Sequence, residues 1–512
     1  MEVIKKYKSI IYFYLLVNLF VGLFITLSSY VHIPLHAPKD YLYYGIHFLL
    51  MQFSLFGVIY LLSLNKYLFY GLFLPLFFIL SVVGFWGFTQ DISLSAGVIQ
   101  ASLETQADIV FGLISWQLVL YILLIIALMY FLVKQYNKVQ VPKFNYVLCI
   151  LSLLSFLTFF VVESKRGGTF KNRLPYTLYF ESQKLYKKNK VRFEQINQTL
   201  VAGQDSIQFI FVLGESVRAD HLQLNGYERQ TTPLLSQRKN LISYTDAFTT
   251  NTYTGASVPQ ILSNASVFDD YKTEKKSLMD VLNKANIQTV WIGNQTPEKS
   301  YLTFIENSTK KFYIDPTHSE FSFNKELDEK MIPVAIEEWN NSGNQFSTIH
   351  MMGSHWWYEN RYDDRFRVFK PVIKSKYIPS NSPEEMINSY DNTILYLDYF
   401  LNELINHLEK LNTTSILFFV SDHGELLGEN GNWLHAQPGD EKSVRNPAVI
   451  IWYSDKFKNK YPTKIDNLYN NQNKYLPLDF FYHSVLDAYE IKGVELNPDL
   501  SIFRDFKFRK PD

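Results

Sequence analysis

Hydrophobic positions are distributed unevenly along this chain. In the first third they form five nearly unbroken runs, at about 9–29, 43–63, 67–88, 114–133 and 145–163. Each is close to the roughly 20 residues a helix needs to cross the hydrocarbon core of a bilayer. The pattern predicts a transmembrane domain of five helices over residues 1–163. The first run, from Ser9, leads into a polar loop rather than a small-residue cleavage site, so it reads as an anchor. From about residue 207 the pattern changes. Short apolar runs at 207–213, 289–293, 346–352, 416–421 and 448–453 alternate with stretches of helical spacing such as SLMDVLNKAN. Continuous apolar strands separated by helices predict an α/β domain over 207–512, its mostly parallel sheet covered by helices on both faces. Between the two lies a polar, basic bridging segment, 164–206, with Lys165, Arg166, Lys171, Arg173 and the run KLYKKNKVR. Its stretch Leu178–Tyr186 is amphipathic enough to lie on an anionic membrane surface, and equally reads as a solvated linker helix.

Charge placement adds an orientation. Lys5, Lys6 and Lys8 precede the first run, Lys66 follows the second, and Lys134, Lys138 and Lys143 follow the fourth. The alternate loops, 30–42 and 89–113, carry Lys39 against Asp40, Asp91, Glu104 and Asp108. The positive-inside rule then puts the N-terminus in the cytoplasm, and five crossings put everything after about 164 on the far side. The net charge of +0 removes any bulk electrostatic case for a nucleic-acid partner. The single cysteine, Cys149, sits in an apolar run and cannot form an internal disulfide. No predicted span holds a charged residue near its centre, which argues against an ion-coupled carrier.

Three strand ends carry polar chemistry. Glu215 follows the strand at 207–213, Asp422 and His423 follow 416–421, with Glu425 and His435 shortly after, and His355 follows 346–352. Active sites of such sheets lie beyond the carboxyl ends of the strands. Mixed carboxylate and imidazole ligation there suits zinc or manganese. Singly, each residue has a plainer reading: Asp422 as a helix cap, Glu215 as a cap or a partner of Arg218, His355 as a packing histidine, Glu425 as a solvated first-turn carboxylate. Their joint occurrence favours a metal site. A fourth piece is TTNTYTGASVPQIL at 249–262. A helix starting near Thr254 would turn its N-terminal amides toward a phosphate. The threonine hydroxyl would need a base or a metal to act as a nucleophile.

With these residues assembled, the chain resembles the membrane-anchored phosphoethanolamine transferases of the alkaline phosphatase/sulfatase superfamily. That family includes lipid A-modifying enzymes and the mobile colistin-resistance proteins. The carrying strings are GESVRADHLQLNGYERQTTP (214–233), TNTYTGASVP (250–259), GSHWWYENRY (353–362), SYDNTILYLDYFL (389–401) and SDHGELLGENG (421–431). The resemblance implies a catalytic Zn2+ held by Glu215, Asp422, His423 and Thr254, with Thr254 the residue that becomes modified. It implies that His355 and His435 line the phosphoethanolamine pocket, moving protons or holding a second zinc. Glu425 matches an acidic neighbour that is either an ammonium contact or a second-metal ligand. SLETQAD at 102–108 is similar to a donor-lipid loop, with Glu104, Thr105 and Asp108 as substrate contacts, and Lys299 is nearest to the family's pocket lysine.

The implied activity is transfer of phosphoethanolamine from phosphatidylethanolamine to lipopolysaccharide or lipooligosaccharide by a multi-pass inner-membrane protein with a periplasmic catalytic domain. Where the lipid A branch has cysteines flanking the threonine motif, this chain has Thr250 and Gln260. Where that branch has Gly-Pro after the pocket histidine, this chain has Trp356-Trp357-Tyr358. Both departures are similar to relatives that decorate core sugars, which favours a core sugar over lipid A as acceptor. The alternatives are a phosphoglycerol transferase of the lipoteichoic-acid-synthase type and a non-catalytic glycolipid-binding membrane protein.

Overall fold

The computed structural model describes residues 2–31, 38–90, 94–104, 115–139, 144–166, 169–187, 191–295, 300–314, 326–341, 343–375, 378–435 and 441–508. Apart from short pieces near Gln100 and Ile378, the chain divides at Tyr186/Lys187 into two compact units. That division falls inside the stretch read from sequence as the bridge.

In the first unit five helical stretches are long and apolar enough to cross a membrane: Lys8–Ser29, Pro38–Ser63, Lys66–Thr89, Trp116–Asn137 and Tyr146–Lys165. The helices are α1 (Glu2–Phe24), α2 (Pro38–Ser63), α3 (Leu74–Gln90), α4 (Ala96–Glu104), α5 (Trp116–Asn137), α6 (Tyr146–Arg166) and α7 (Tyr176–Lys187). A π-helical turn at Phe69–Phe73 leads into α3. It presents Phe69 to Tyr136, and the two rings stack at 4.2 Å with Phe13 against both. Helices α2 and α6 approach closely at Gly57, where an added Cβ would lie 2.4 Å from Ser155 Oγ. Small residues at such crossings let membrane helices gain van der Waals contact, since lipid offers no hydrophobic drive between them.

The second unit is built on a seven-stranded sheet. Its strands are β1 (Gln208–Gly214), β2 (Leu241–Tyr244), β3 (Gln288–Gly293), β4 (Lys310–Tyr313), β5 (Gln345–His350), β6 (Ser415–Ser421) and β7 (Val449–Tyr453). The spatial order is β2-β7-β6-β1-β5-β3-β4, with β7 antiparallel to both neighbours and the remaining pairs parallel. The five predicted strands are present to within a residue or two, and two further strands, β2 and β4, flank them at the edges.

Alternation along β1 sends Phe209, Phe211 and Leu213 into a core shared with Val258, Ile261, Leu278 and Phe481. These last come from helices α8 (Thr254–Ile261), α9 (Leu278–Lys284) and a C-terminal helix, Phe480–Ala488. Fully buried side chains of this size contribute about 1.5–3 kcal/mol each. On the opposite face, Trp339 of α10 (Met331–Asn340) donates from Nε1 to Ser347 Oγ on β5 at 3.1 Å. Beside α10 packs α11 (Pro383–Leu411), opened by a capping box in which Ser382 and Glu385 serve each other's backbone amides. Strands β6, β1 and β5 are adjacent, and their carboxyl ends are in register, with Gly214 opposite Ser421 and Leu213 opposite His350. The three polar loops flagged by sequence therefore leave from neighbouring points on one rim.

Candidate active site

Glu215 follows β1 directly and is fully buried. The chain turns at once, since Ser216 takes a left-handed φ of 60° and lays its Oγ on Glu215 Oε1 at 2.8 Å. A non-glycine residue in that region stores strain that the surrounding structure must over-determine. From the β5 side, Gly353 packs on the Glu215 main chain, where a Cβ would lie 2.8 Å from its carbonyl oxygen. The next amide, Ser354 N, donates to that carbonyl at 2.9 Å. The Gly353 turn is itself held by the buried Asp328 carboxylate, which accepts from Met352 N and Gly353 N at 2.9 and 3.0 Å.

The first residue of α8 is Thr254. Its Oγ1 donates to Glu215 Oε2 at 2.6 Å, and the side chain is 3% exposed. As residues at a helix start, Thr254 and Gly255 have amides without intrahelical acceptors, aimed where an anion would sit. Opposite them, His423 Nε2 lies 3.2 Å from Glu215 Oε1 and 3.3 Å from Asp422 Oδ2. His423 Nδ1 donates to the Gly424 carbonyl at 2.7 Å, which leaves Nε2 as the ring nitrogen facing the carboxylates. Asp422 Oδ1 is used up by the amides of His423 and Ser216 at 2.8 and 3.3 Å. Asp422 Oδ2 and His423 Nε2 are both buried without a hydrogen-bond partner.

The electrostatics point the same way. Burial alone would lower the pKa of His423, but the Asp422 and Glu215 carboxylates outweigh it and raise the value to about 10. Burial and the Glu215 charge push Asp422 up to about 7, against the pull of His423, the Thr254 hydroxyl and the Ser216 amide. Burial works on Glu215 too, yet the charge on His423 holds it well below the ordinary range. Two carboxylates in one dry pocket call for a positive charge between them. A divalent cation meets that demand, and the donor set of carboxylate, imidazole and hydroxyl, with two orphaned ligand atoms, suits zinc.

A second layer stands beside this cluster. His435, half-buried, brings a ligand atom within 4.8 Å of those of Glu215 and His423. Its Nδ1 faces Glu425 Oε2 at 2.9 Å and Ser216 Oγ at 3.4 Å. Glu425 is fully buried and also accepts from Tyr358 Oη at 3.4 Å. His355 packs its ring 5.1 Å from that of His435, with its Nδ1 2.7 Å from the Trp356 carbonyl. Burial lowers the pKa of His355 to about 3, so its ring is neutral at physiological pH.

Glu215, Thr254, Asp422, His423, His355, His435 and Glu425 thus share one neighbourhood. The plainer readings of several fail here. No helix starts at Asp422 or Glu425, and Arg218 pairs with Asp220 and Glu429 rather than Glu215. Thr105, Asp108 and Lys299 lie outside the described residues, as does the side chain of Glu104, the last residue of α4. Ser216, Asp328, Tyr358 and Tyr390 support the site without having been singled out from sequence. The motif strings contain Ser216, Tyr358 and Tyr390, but nothing in residue type marks them as supports, and Asp328 sits in a charged run that looks like surface.

Residues 208–491 match the Sulfatase family. Among curated proteins, phosphoethanolamine transferase EptA of Escherichia coli (strain K12) is 31% identical over 265 residues, covering 49% of this chain and 47% of that protein. The chain's matches thus span about half the length of such curated relatives. Among solved structures, the integral membrane protein lipooligosaccharide phosphoethanolamine transferase A (EptA) from Neisseria meningitidis superposes with a TM-score of 0.78 at 21% identity, covering 96% of this chain and 97% of that one. The C-terminal periplasmic domain of EcEptC from Escherichia coli, solved in complex with Zn, gives 0.54 at 23% identity over 61% of this chain and 90% of that one.

Proposed function

We propose, from the premise that this chain belongs to the sulfatase family, that it is an inner-membrane, zinc-dependent phosphoethanolamine transferase with its catalytic domain in the periplasm. The observation that carries the reading is the buried Thr254 hydroxyl at a helix start, bonded to Glu215 beside the orphaned Asp422 Oδ2 and His423 Nε2. The names of its relatives supply the group transferred and the acceptor class. The donor is phosphatidylethanolamine and the acceptor lipopolysaccharide or lipooligosaccharide, with a core sugar favoured over lipid A.

Glu215, Thr254, Asp422 and His423 would hold the zinc, and the EptC domain solved with Zn supports that identity. When bound, the ion supplies Lewis acidity, easing loss of the Thr254 proton and offsetting charge on a phosphoryl oxygen. The chain's own groups do the rest. Thr254 Oγ1 attacks the donor phosphorus, a P–Oγ1 bond forms, the P–O bond to diacylglycerol breaks, and the glycerol oxygen takes up a proton. The amides at the start of α8 receive the phosphoryl oxygens. An acceptor hydroxyl then attacks, the P–Oγ1 bond breaks, and Thr254 regains its proton. His355, kept neutral by burial, and His435, bonded to Glu425, would carry these protons. Glu425 would also attract the ethanolamine ammonium, and Glu104, Thr105 and Asp108 would contact the donor lipid. Splitting the transfer lets two bulky amphiphiles use one pocket in turn, and membrane anchoring raises the local concentration of both.

The test is head-group analysis of product made by the purified full-length protein from phosphatidylethanolamine and lipooligosaccharide. Acceptor gaining one phosphoethanolamine is expected. Gain of phosphoglycerol, or no gain with zinc present, contradicts the assignment.

A further inference from the structure

The residue after Glu215 is strained at φ 60°, and on the sheet side Val217 N donates to Ser421 Oγ at 2.8 Å. A further hold on this turn comes from α11. Tyr390 Oη donates to the Ser216 carbonyl at 2.8 Å and accepts from Arg218 N at 2.9 Å, so one fully buried hydroxyl pins the main chain on both sides of Val217. One turn further along the same helix, Thr393 Oγ1 donates to Ser354 Oγ at 2.7 Å, and Ser354 N in turn bonds the Glu215 carbonyl. The Tyr390 ring also meets Tyr358 edge-on at 5.4 Å, and Tyr358 Oη reaches Glu425. A 29-residue helix on one face of the sheet thus grips the Glu215 turn from two directions and touches the His435–Glu425 pair through a third.

We propose that Tyr390 is a positioning residue for the metal: by clamping the Ser216–Arg218 turn it fixes Glu215 as a ligand and thereby sets zinc affinity. This rests on the zinc reading given above. Partners that orient metal ligands typically change affinity or activity by about 10–100-fold when removed. A phenylalanine keeps the ring and its packing and deletes only the two hydrogen bonds.

The experiment is zinc affinity by competition with a fluorescent chelator, on the full-length wild type, Tyr390→Phe and Tyr396→Phe. Tyr396 lies on the same helix, is also buried and likewise accepts from a main-chain amide, but that of Glu329, at 2.8 Å, rather than one of the Glu215 turn. Zinc binding about 10–100-fold weaker in Tyr390→Phe, near wild-type binding in Tyr396→Phe, and transfer by Tyr390→Phe restored by excess zinc are expected. Equal affinity in wild type and Tyr390→Phe, or equal loss in both variants, overturns the proposal while leaving the zinc reading intact. A wild type that binds no zinc overturns the reading itself and this proposal with it. Should Tyr390→Phe not be recovered folded, hydrogen exchange on the wild type decides. Zinc-induced protection of residues 214–218 then extends to 388–392 if Tyr390 joins them, and stops at the turn if it does not.

Discussion

His423 Nε2 stands 3.3 Å from Asp422 Oδ2, and neither atom has a hydrogen-bond partner although both are fully buried. Buried polar atoms left unpaired are rare and costly, so the pair fits the proposal that a cation completes the folded chain here. Zinc at about a thousand times its dissociation constant should stabilise the protein by about 4 kcal/mol. Chelation should therefore lower the melting temperature by several degrees, reversibly on adding zinc. Asp422→Ala should melt at one temperature with or without the metal. A wild type indifferent to chelator and zinc would contradict this.

Gly424 follows His423 where a Cβ would lie 2.1 Å from the Ser443 carbonyl oxygen. Gly424→Ala should therefore displace His423, destabilise the protein by about 1–3 kcal/mol as overpacking does, and weaken zinc binding. Gly71→Ala, in open space, should do neither. Denaturation and zinc titration of the two variants check the contrast.

His435 is oriented by Glu425 at 2.9 Å. If it moves a proton in the transfer, His435→Ala should cut turnover by about 10²–10⁴-fold, the usual worth of a general acid or base. On the proposed ligand set of Glu215, Thr254, Asp422 and His423, bound zinc should remain. Parallel measurement of kcat and zinc content separates the two roles, and loss of the metal together with activity would make His435 a ligand instead.

Burial lowers the pKa of His483, far from the strand-end cluster in sequence, to about 4. Between an ordinary value of about 6.5 and 4 the unfolded chain binds a proton that the folded chain refuses. The stability tied to this residue is therefore complete above pH 6.5 and lost as pH falls toward 4, by up to about 1.4 kcal/mol per pH unit. The ring Nδ1 accepts from Asn497 N at 3.2 Å, and His483→Gln offers an acceptor there without titrating. Melting curves of the variant should be flatter over this range than those of wild type. Identical slopes would refute the assignment.

Much of the architecture was legible in residues 1–163 and in the central strands, because a bilayer and a doubly covered sheet both demand unbroken apolar runs. Strand β4 was not, since Lys310–Tyr313 is an edge strand with alternate side chains exposed, and β2 offers only four residues, Leu241–Tyr244. At the site, Glu215, Asp422 and His423 announced themselves as polar residues at the ends of buried strands. Their supports did not. Tyr390 reads as one more core position on an amphipathic helix, and its hydrogen bonds reach 172 and 174 residues back along the chain. Asp328 lies among charged neighbours in ELDEK, and only the fold turns its carboxylate inward to hold the Gly353 turn.

In the proposed reaction the Thr254 hydroxyl is the nucleophile. Intact-mass spectrometry and peptide mapping of the zinc-loaded, full-length protein after incubation with phosphatidylethanolamine, without acceptor, address it directly. One phosphoethanolamine on the peptide containing Thr254, absent from Thr254→Ala and discharged on adding lipooligosaccharide, is the predicted result. Unmodified protein that nevertheless transfers the head group, or a Thr254→Ala variant with wild-type activity, would rule out Thr254 as the nucleophile.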